Sequence, residues 1–238
     1  MSLCAAILVL MLILGLWYPS PFDVLSGGRQ LLMMIVAIDV VCGPLLTAVV
    51  FSPKKRKKEL WRDLCVVVLL QILALSYGVI TAFEARPVWV AFEGDRFRVV
   101  SVPDIDYSNL EKAPRELRRL SVSGPKPLGV KLLNSGDTGF LESIQLSLAG
   151  IHPSFRPERW INYDEQIGLV LKSIRPLKEL YEKNIENKKI IDVELAKIKL
   201  HPEQLGYLPL VSSNSDDWIV WIDRRSAIPQ AFVHVNPW

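Results

Sequence analysis

Apolar and polar positions follow different periods in the two parts of this chain, with the change near residue 84. Before it the apolar runs are long. Leu64–Phe83 (LCVVVLLQILALSYGVITAF) has no charged side chain, and Gln30–Phe51 (QLLMMIVAIDVVCGPLLTAVVF) has one, Asp39. A helix rises about 1.5 Å per residue, so about 20 apolar residues cross a hydrocarbon core of about 30 Å. A soluble helix keeps a polar face, and neither run has one. Residues 2–18 (SLCAAILVLMLILGLWY) are as apolar but shorter, and they end on Trp17-Tyr18, a pair suited to the membrane–water boundary. The pattern predicts three N-terminal transmembrane α-helices, at about 2–18, 30–51 and 64–83, in a unit covering 1–84.

Between the second and third runs, the loop 52–63 crowds Lys54, Lys55, Arg56, Lys57, Lys58 and Arg62 together, six cations that within 54–62 face one acid, Glu59. A short loop rich in Lys and Arg stays on the cytoplasmic side. The same cations are drawn to anionic headgroups by about 1 kcal/mol each. The turn at 19–29 (PSPFDVLSGGR) is broken by proline and glycine and then lies outside. The third helix delivers residues 85–238 to the outer face. No basic residue precedes the first run, unlike an ordinary signal sequence. The expectation is a retained helix whose true start codon lies upstream.

Asp39 is costly at mid-membrane, roughly 2.5–3.5 kcal/mol on insertion scales, and it needs a partner. Two readings fit: a hydrogen bond to Gln71, Ser76 or Tyr77 on the third helix, or contact with the helix of another protein. Cys42-Gly43-Pro44 follows. Proline removes a backbone donor, and small residues let helices approach. Asp39, Gly43 and Pro44 are the candidate partner-binding residues.

Beyond residue 84 the apolar runs shorten and alternate. VWVAF (88–92) and FRVVSV (97–102) flank Glu93-Gly94-Asp95-Arg96, a β-hairpin pattern. Residues 104–120 read as helix capped by Asp104, with Pro114 near a break. Leu128–Leu133 reads as a short strand, and Asp137 or Thr138 caps a helix to Leu148 that stops at Gly150. Asp164–Lys172 and Pro176 to about Asn187 read as helices. Three strands near the end, 207–211, 218–222 and 231–235, are separated by SSNSDD and DRRSAIPQ and predict an antiparallel meander. The fold class expected is a membrane protein with three helices followed by an α+β soluble domain on an antiparallel sheet.

Composition narrows the chemistry. Of 238 residues half are hydrophobic, and the net charge is +3, which the 54–62 cluster accounts for. The second half therefore lacks the basic stripe of a nucleic-acid binder. Cys4, Cys42 and Cys65 all fall in apolar runs, compatible with an exported, cysteine-free domain. His152, His201 and His234 have no metal-ligand spacing, and two precede proline. There is no P-loop, no glycine-rich dinucleotide loop and no nucleophile elbow. Asp39 has no second intramembrane carboxylate beside it. The expectation is a protein that is not an enzyme, with no cofactor, metal, nucleic acid or small-molecule substrate.

Several longer strings carry a resemblance. LWYPSPF, then SGG, then AIDVVCGPLLTAVVFSPKKRKKELWRDL, then ALSYGVITAFEARPVWVAFEGDRFRVVS resemble the type IV pilin accessory proteins of Gram-negative bacteria. RPERWINYDE, GYLPL and the closing NPW are weaker matches. The resemblance implies a multi-pass inner-membrane protein with a periplasmic C-terminal domain. It implies a chaperone-like role, stabilising a major pilin and promoting its assembly into pili, with the pilin stem and head as partners beside the bilayer. The other class that fits is a structural or adaptor subunit of another envelope assembly or secretion machine.

Overall fold

The fold is taken from a computed structural model that describes residues 2–50, 56–186 and 188–238; the side chains of 2–6, 38–40, 42–44, 47, 49–50 and 57 lie outside the description. The chain forms two compact units, Met1–Arg86 and Pro87–Trp238.

The first unit is helical. α1 runs Ser2–Leu12 and continues as one π-helical turn, Ile13–Trp17. A four-residue helix, α2 (Phe22–Leu25), leads into α3 (Gly28–Val50), and α4 is Lys57–Glu84. Ile13, Tyr18, Leu32 and Ala82 form a buried cluster that holds the end of α1 to α3 and α4. The Tyr18 hydroxyl donates to the Ala82 carbonyl at 3.0 Å, and Trp17 meets Phe83 edge-on at 5.0 Å.

The expectation of three transmembrane helices is corrected here. Among the described residues one helix, Lys58–Glu84, is long and apolar enough to cross a membrane, with a mean hydropathy of 2.4. Its length is about 40 Å at the α-helical rise, and Val66, Leu69, Leu70, Leu73 and Ile80 are all exposed on it. The described apolar stretches of the other two are shorter, Ile7–Trp17 and Gly28–Ala37. The basic loop is also redrawn. Arg56, in extended conformation, is the residue before α4, and Lys57, Lys58 and Arg62 are helical. Glu59 in the first turn offsets some of the cost of cations at a helix N-terminus.

The second unit is built on a sheet that has eight strands among the described residues. These are β1 Pro87–Phe92, β2 Phe97–Ser101, β3 Lys126–Val130, β4 Trp160–Ile161, β5 Arg175–Pro176, β6 Leu205–Val211, β7 Trp218–Asp223 and β8 Pro229–Val233. The order is β4-β3-β1-β2-β6-β7-β8, with β5 also on β6. The β1–β2 hairpin and the β6–β7–β8 meander are antiparallel. β1 pairs β3 in parallel, however, and β2 pairs β6 in parallel. The sheet is mixed, which corrects the antiparallel expectation. A hairpin has two outer edges, and this one is taken up on both by strands from far along the chain.

Every residue of β1 and of β6 is buried. Strands covered on both faces read as continuous apolar runs, which is what VWVAF and LGYLPLV are. One core gathers Trp89, Val100, Leu128, Val130 and Trp160 around an edge-on Trp89–Trp160 contact. A second gathers Leu180, Ile191, Tyr207, Ile219 and Trp221. Helices α5 (Phe140–Leu148), α6 (Ile167–Ser173), α7 (Leu177–Lys183) and α8 (Lys188–Ala196) complete the unit.

Two local expectations change. Residues 104–120 hold no α-helix; 3-10 turns occupy Val102–Asp104 and Tyr107–Lys112. Asp104 accepts the Ser101 amide at 2.8 Å, closing a single capping-box turn. Asp137 does not cap α5. It accepts the Asn134 amide at 2.7 Å, and left-handed Gly139 precedes the helix.

Candidate partner-docking grooves

The sequence-derived site residues lie on α3 and at the start of α4. Asp39, Gly43 and Pro44 fall on the α3 backbone, which is helical through all of them, and their side chains lie outside the description. Lys54 and Lys55 lie outside the described residues. Arg62 is largely exposed and 3.5 Å from Asp63.

Sequence reasoning passed over a different pair in the first unit. Asp23 sits in the first turn of α2 and Arg29 at the start of α3, six positions on, across the Ser26-Gly27 turn. Gly27 has φ +70°, a conformation glycine adopts freely. The turn brings the Arg29 Nε and Nη2 groups to one oxygen of Asp23, Oδ2, at 3.1 and 2.9 Å. The Asp23 side chain is 9% exposed and that of Arg29 60%. The other carboxylate oxygen, Oδ1, is buried and has no hydrogen-bond partner among the described residues; the Ser26 Oγ is in the same position. Asp23 and Arg29 line a groove of about 630 Å³ whose other walls are Leu10 and Leu14 on one side and Leu32, Met33 and Val36 on the other. The only sequence signal for it was an acid and a base flanking SGG.

A second groove, of about 550 Å³, lies in the second unit. Its apolar wall is Leu132 with Phe140, Ile144 and Leu148 of α5, and its polar side carries Arg96, Arg98 and His152. Glu93 pairs with Arg98 at 2.9 Å, both nearly buried. The Ser154 hydroxyl donates to the other Glu93 oxygen at 2.7 Å. Asp95 is held below the usual carboxylate range by its hydrogen bond from Arg96. Burial, reinforced by the Arg98 charge, pushes the His152 imidazole below its ordinary pKa. Leu141 and Leu148 on α5 are 73% and 84% exposed.

The charges in this groove are spent on one another. Ser154 is fully buried and its hydroxyl is committed to Glu93, so it is not poised as a nucleophile. His234 is 2.6 Å from Asp217 and stacked on Trp218, and His201 is exposed. Among the described residues no group of His, Cys, Asp and Glu is placed to hold a metal ion. The first groove joins apolar walls to one ion pair, Asp23–Arg29, and the second joins them to two, Glu93–Arg98 and Asp95–Arg96.

No family model and no solved structure matches the chain. Curated relatives do. The chain is 34% identical over 232 residues, 97% of its length and 90% of the relative's, to "Fimbrial assembly protein, serogroup I" of Dichelobacter nodosus. It is 32% identical over the same extent to the serogroup E1 protein of that organism. A third, from serogroups C1 and C2, is 41% identical over 113 residues, 48% of this chain and 86% of the relative. The likeness runs through both compact units, in keeping with the resemblance to type IV pilin accessory proteins. The chain belongs to the fimbrial assembly proteins.

Proposed function

We propose that this protein is an inner-membrane accessory factor that stabilises a type IV pilin and promotes its assembly into pili. The observation that carries this reading is the 34% identity over 97% of the chain to a protein named for fimbrial assembly. Two contact grooves, one in each compact unit, are consistent with a role in binding rather than chemistry. In this reading Lys58–Glu84 crosses the membrane. Arg56, Lys57, Lys58 and Arg62 cluster at its first end, which favours the cytoplasm for that end and the periplasm for Pro87–Trp238.

Deleting the gene tests the function. Pilin steady-state level and surface pili fall, and both return when the gene is supplied in trans. A mutant that keeps normal pilin and normal pili overturns the reading. Alkaline phosphatase fused after Trp238 tests the orientation: it is active in intact cells if the second unit is periplasmic.

A further inference from the structure

We propose that the groove between α1 and the start of α3 seats one apolar helix of the partner, and that the Asp23 carboxylate binds a hydrogen-bond donor which that helix brings. The partner is the pilin, so the proposal rests on the function proposed above.

The groove is almost wholly carbon. Leu10, Leu14, Leu32, Met33 and Val36 supply its walls, and the Asp23–Arg29 pair its polar end. Met33 is 59% exposed, so the walls are open to an incoming chain. An arginine fork ordinarily spreads over both oxygens of a carboxylate. Here both donors converge on Oδ2, and Oδ1 is left buried without a partner among the described residues. A buried acceptor without a donor is costly, and more so for a charged group. Ser26 Oγ, three residues on, is a second such atom on the same turn.

The Asp23 Oδ1 atom, unpaired among the described residues, sets what the occupant must bring. A lipid acyl chain covers apolar walls but has no donor for Oδ1. An apolar helix carrying an amine, amide or hydroxyl supplies both. Between apolar helices in lipid, association depends on packing and on such polar contacts. The Arg29 side chain is 60% exposed, so the polar end of the groove is reached from outside.

In-cell photo-crosslinking of the full-length protein, with pilin detected by immunoblot, tests this. A photoreactive residue at Met33 or Val36 captures pilin. Asp23→Ala lowers that capture by about tenfold, as expected for loss of one hydrogen bond to a charged group. Met33→Trp, at an exposed position that leaves folding intact, fills the groove and blocks capture from Val36. The proposal is overturned if Met33→Trp leaves capture from Val36 unchanged. It is also overturned if Met33 and Val36 capture only lipid while Leu69 on α4 or Leu148 on α5 captures pilin; the function then stands and the groove does not. If no position captures pilin and pilin level is independent of the protein, both fail together.

Discussion

Gln166 brackets Val130. Its side-chain oxygen accepts the Val130 amide at 2.9 Å, and its side-chain nitrogen donates to the Val130 carbonyl at 2.6 Å. One side chain thus serves the backbone of β3 as a neighbouring strand would. Gln166 is 7% exposed, and Gly129 beside it admits this approach: a Cβ there would lie 2.9 Å from the Asn162 carbonyl.

Gln166→Leu keeps the volume and strands both backbone groups of Val130. Each buried group left without a partner costs roughly 1–3 kcal/mol. The expected loss is about 3 kcal/mol, read as a lower urea midpoint followed by tryptophan fluorescence of the purified protein. Gln166→Glu keeps the acceptor and places a second acceptor against the Val130 carbonyl, so it also destabilises, and less so at acid pH where the carboxyl is protonated.

Glu93→Ala removes the partner of a nearly buried arginine, with side-chain exposures of 8% for Glu93 and 11% for Arg98. Breaking a buried pair from one side costs roughly 3–5 kcal/mol, because the remaining charge is uncompensated. Glu93→Ala combined with Arg98→Met recovers part of that loss. A double-mutant cycle measures the coupling, and a coupling near zero contradicts the pair as described.

Gly206→Ala strikes the β5–β6 junction. A Cβ at Gly206 would run into the Ile174 side chain and lie 2.8 Å from the Arg175 carbonyl oxygen. Backbone cannot yield as a side chain does, so overpacking here costs roughly 1–3 kcal/mol. The same change at Gly168, which has no neighbour within 4 Å of a Cβ, is neutral or stabilising. Thermal melts of the two variants separate them.

Acid weakens the second unit through His152. Its folded pKa lies below the ordinary histidine value, so the unfolded chain binds the proton more readily. The contribution is fully present above about pH 6.5 and is lost as pH falls below that value toward the folded pKa. His152→Gln flattens the stability profile in that window. Asp95 and Asp223, both held below the usual carboxylate range, act later. Their contributions are present above about pH 4 and lost as pH falls further.

Local pattern made the β1–β2 hairpin and the β6–β7–β8 meander legible, because alternating apolar residues and Glu93-Gly94-Asp95-Arg96 specify both strand and turn. Gly94 takes φ +93° in that turn, and the Glu93 amide closes it on the Arg96 carbonyl at 2.9 Å. The parallel pairings Phe97↔Leu210 and Ala91↔Leu128 left no local mark, since register between distant strands is set by the packed core. The helix expected over 104–120 gives way to 3-10 turns because Asp104 and Asp106 bond their own neighbours and close single turns, and Pro114 lacks the amide that a continuing helix would use. The Asp23–Arg29 pair was not legible, because its significance depends on burial that six residues of spacing do not reveal.

The two parallel junctions also set an order of events. β1 and β2 emerge from the ribosome before the other strands, yet the outer edge of β2 closes only when β6, Leu205–Val211, arrives near the end of the chain. Contacts so distant in sequence are slow to form. During that interval the nascent polypeptide presents VWVAF and FRVVS with open ladder edges. A factor that assists fibre building thus has a vulnerable stage of its own, and truncations before Leu205 are expected to leave an aggregation-prone fragment rather than a smaller working domain.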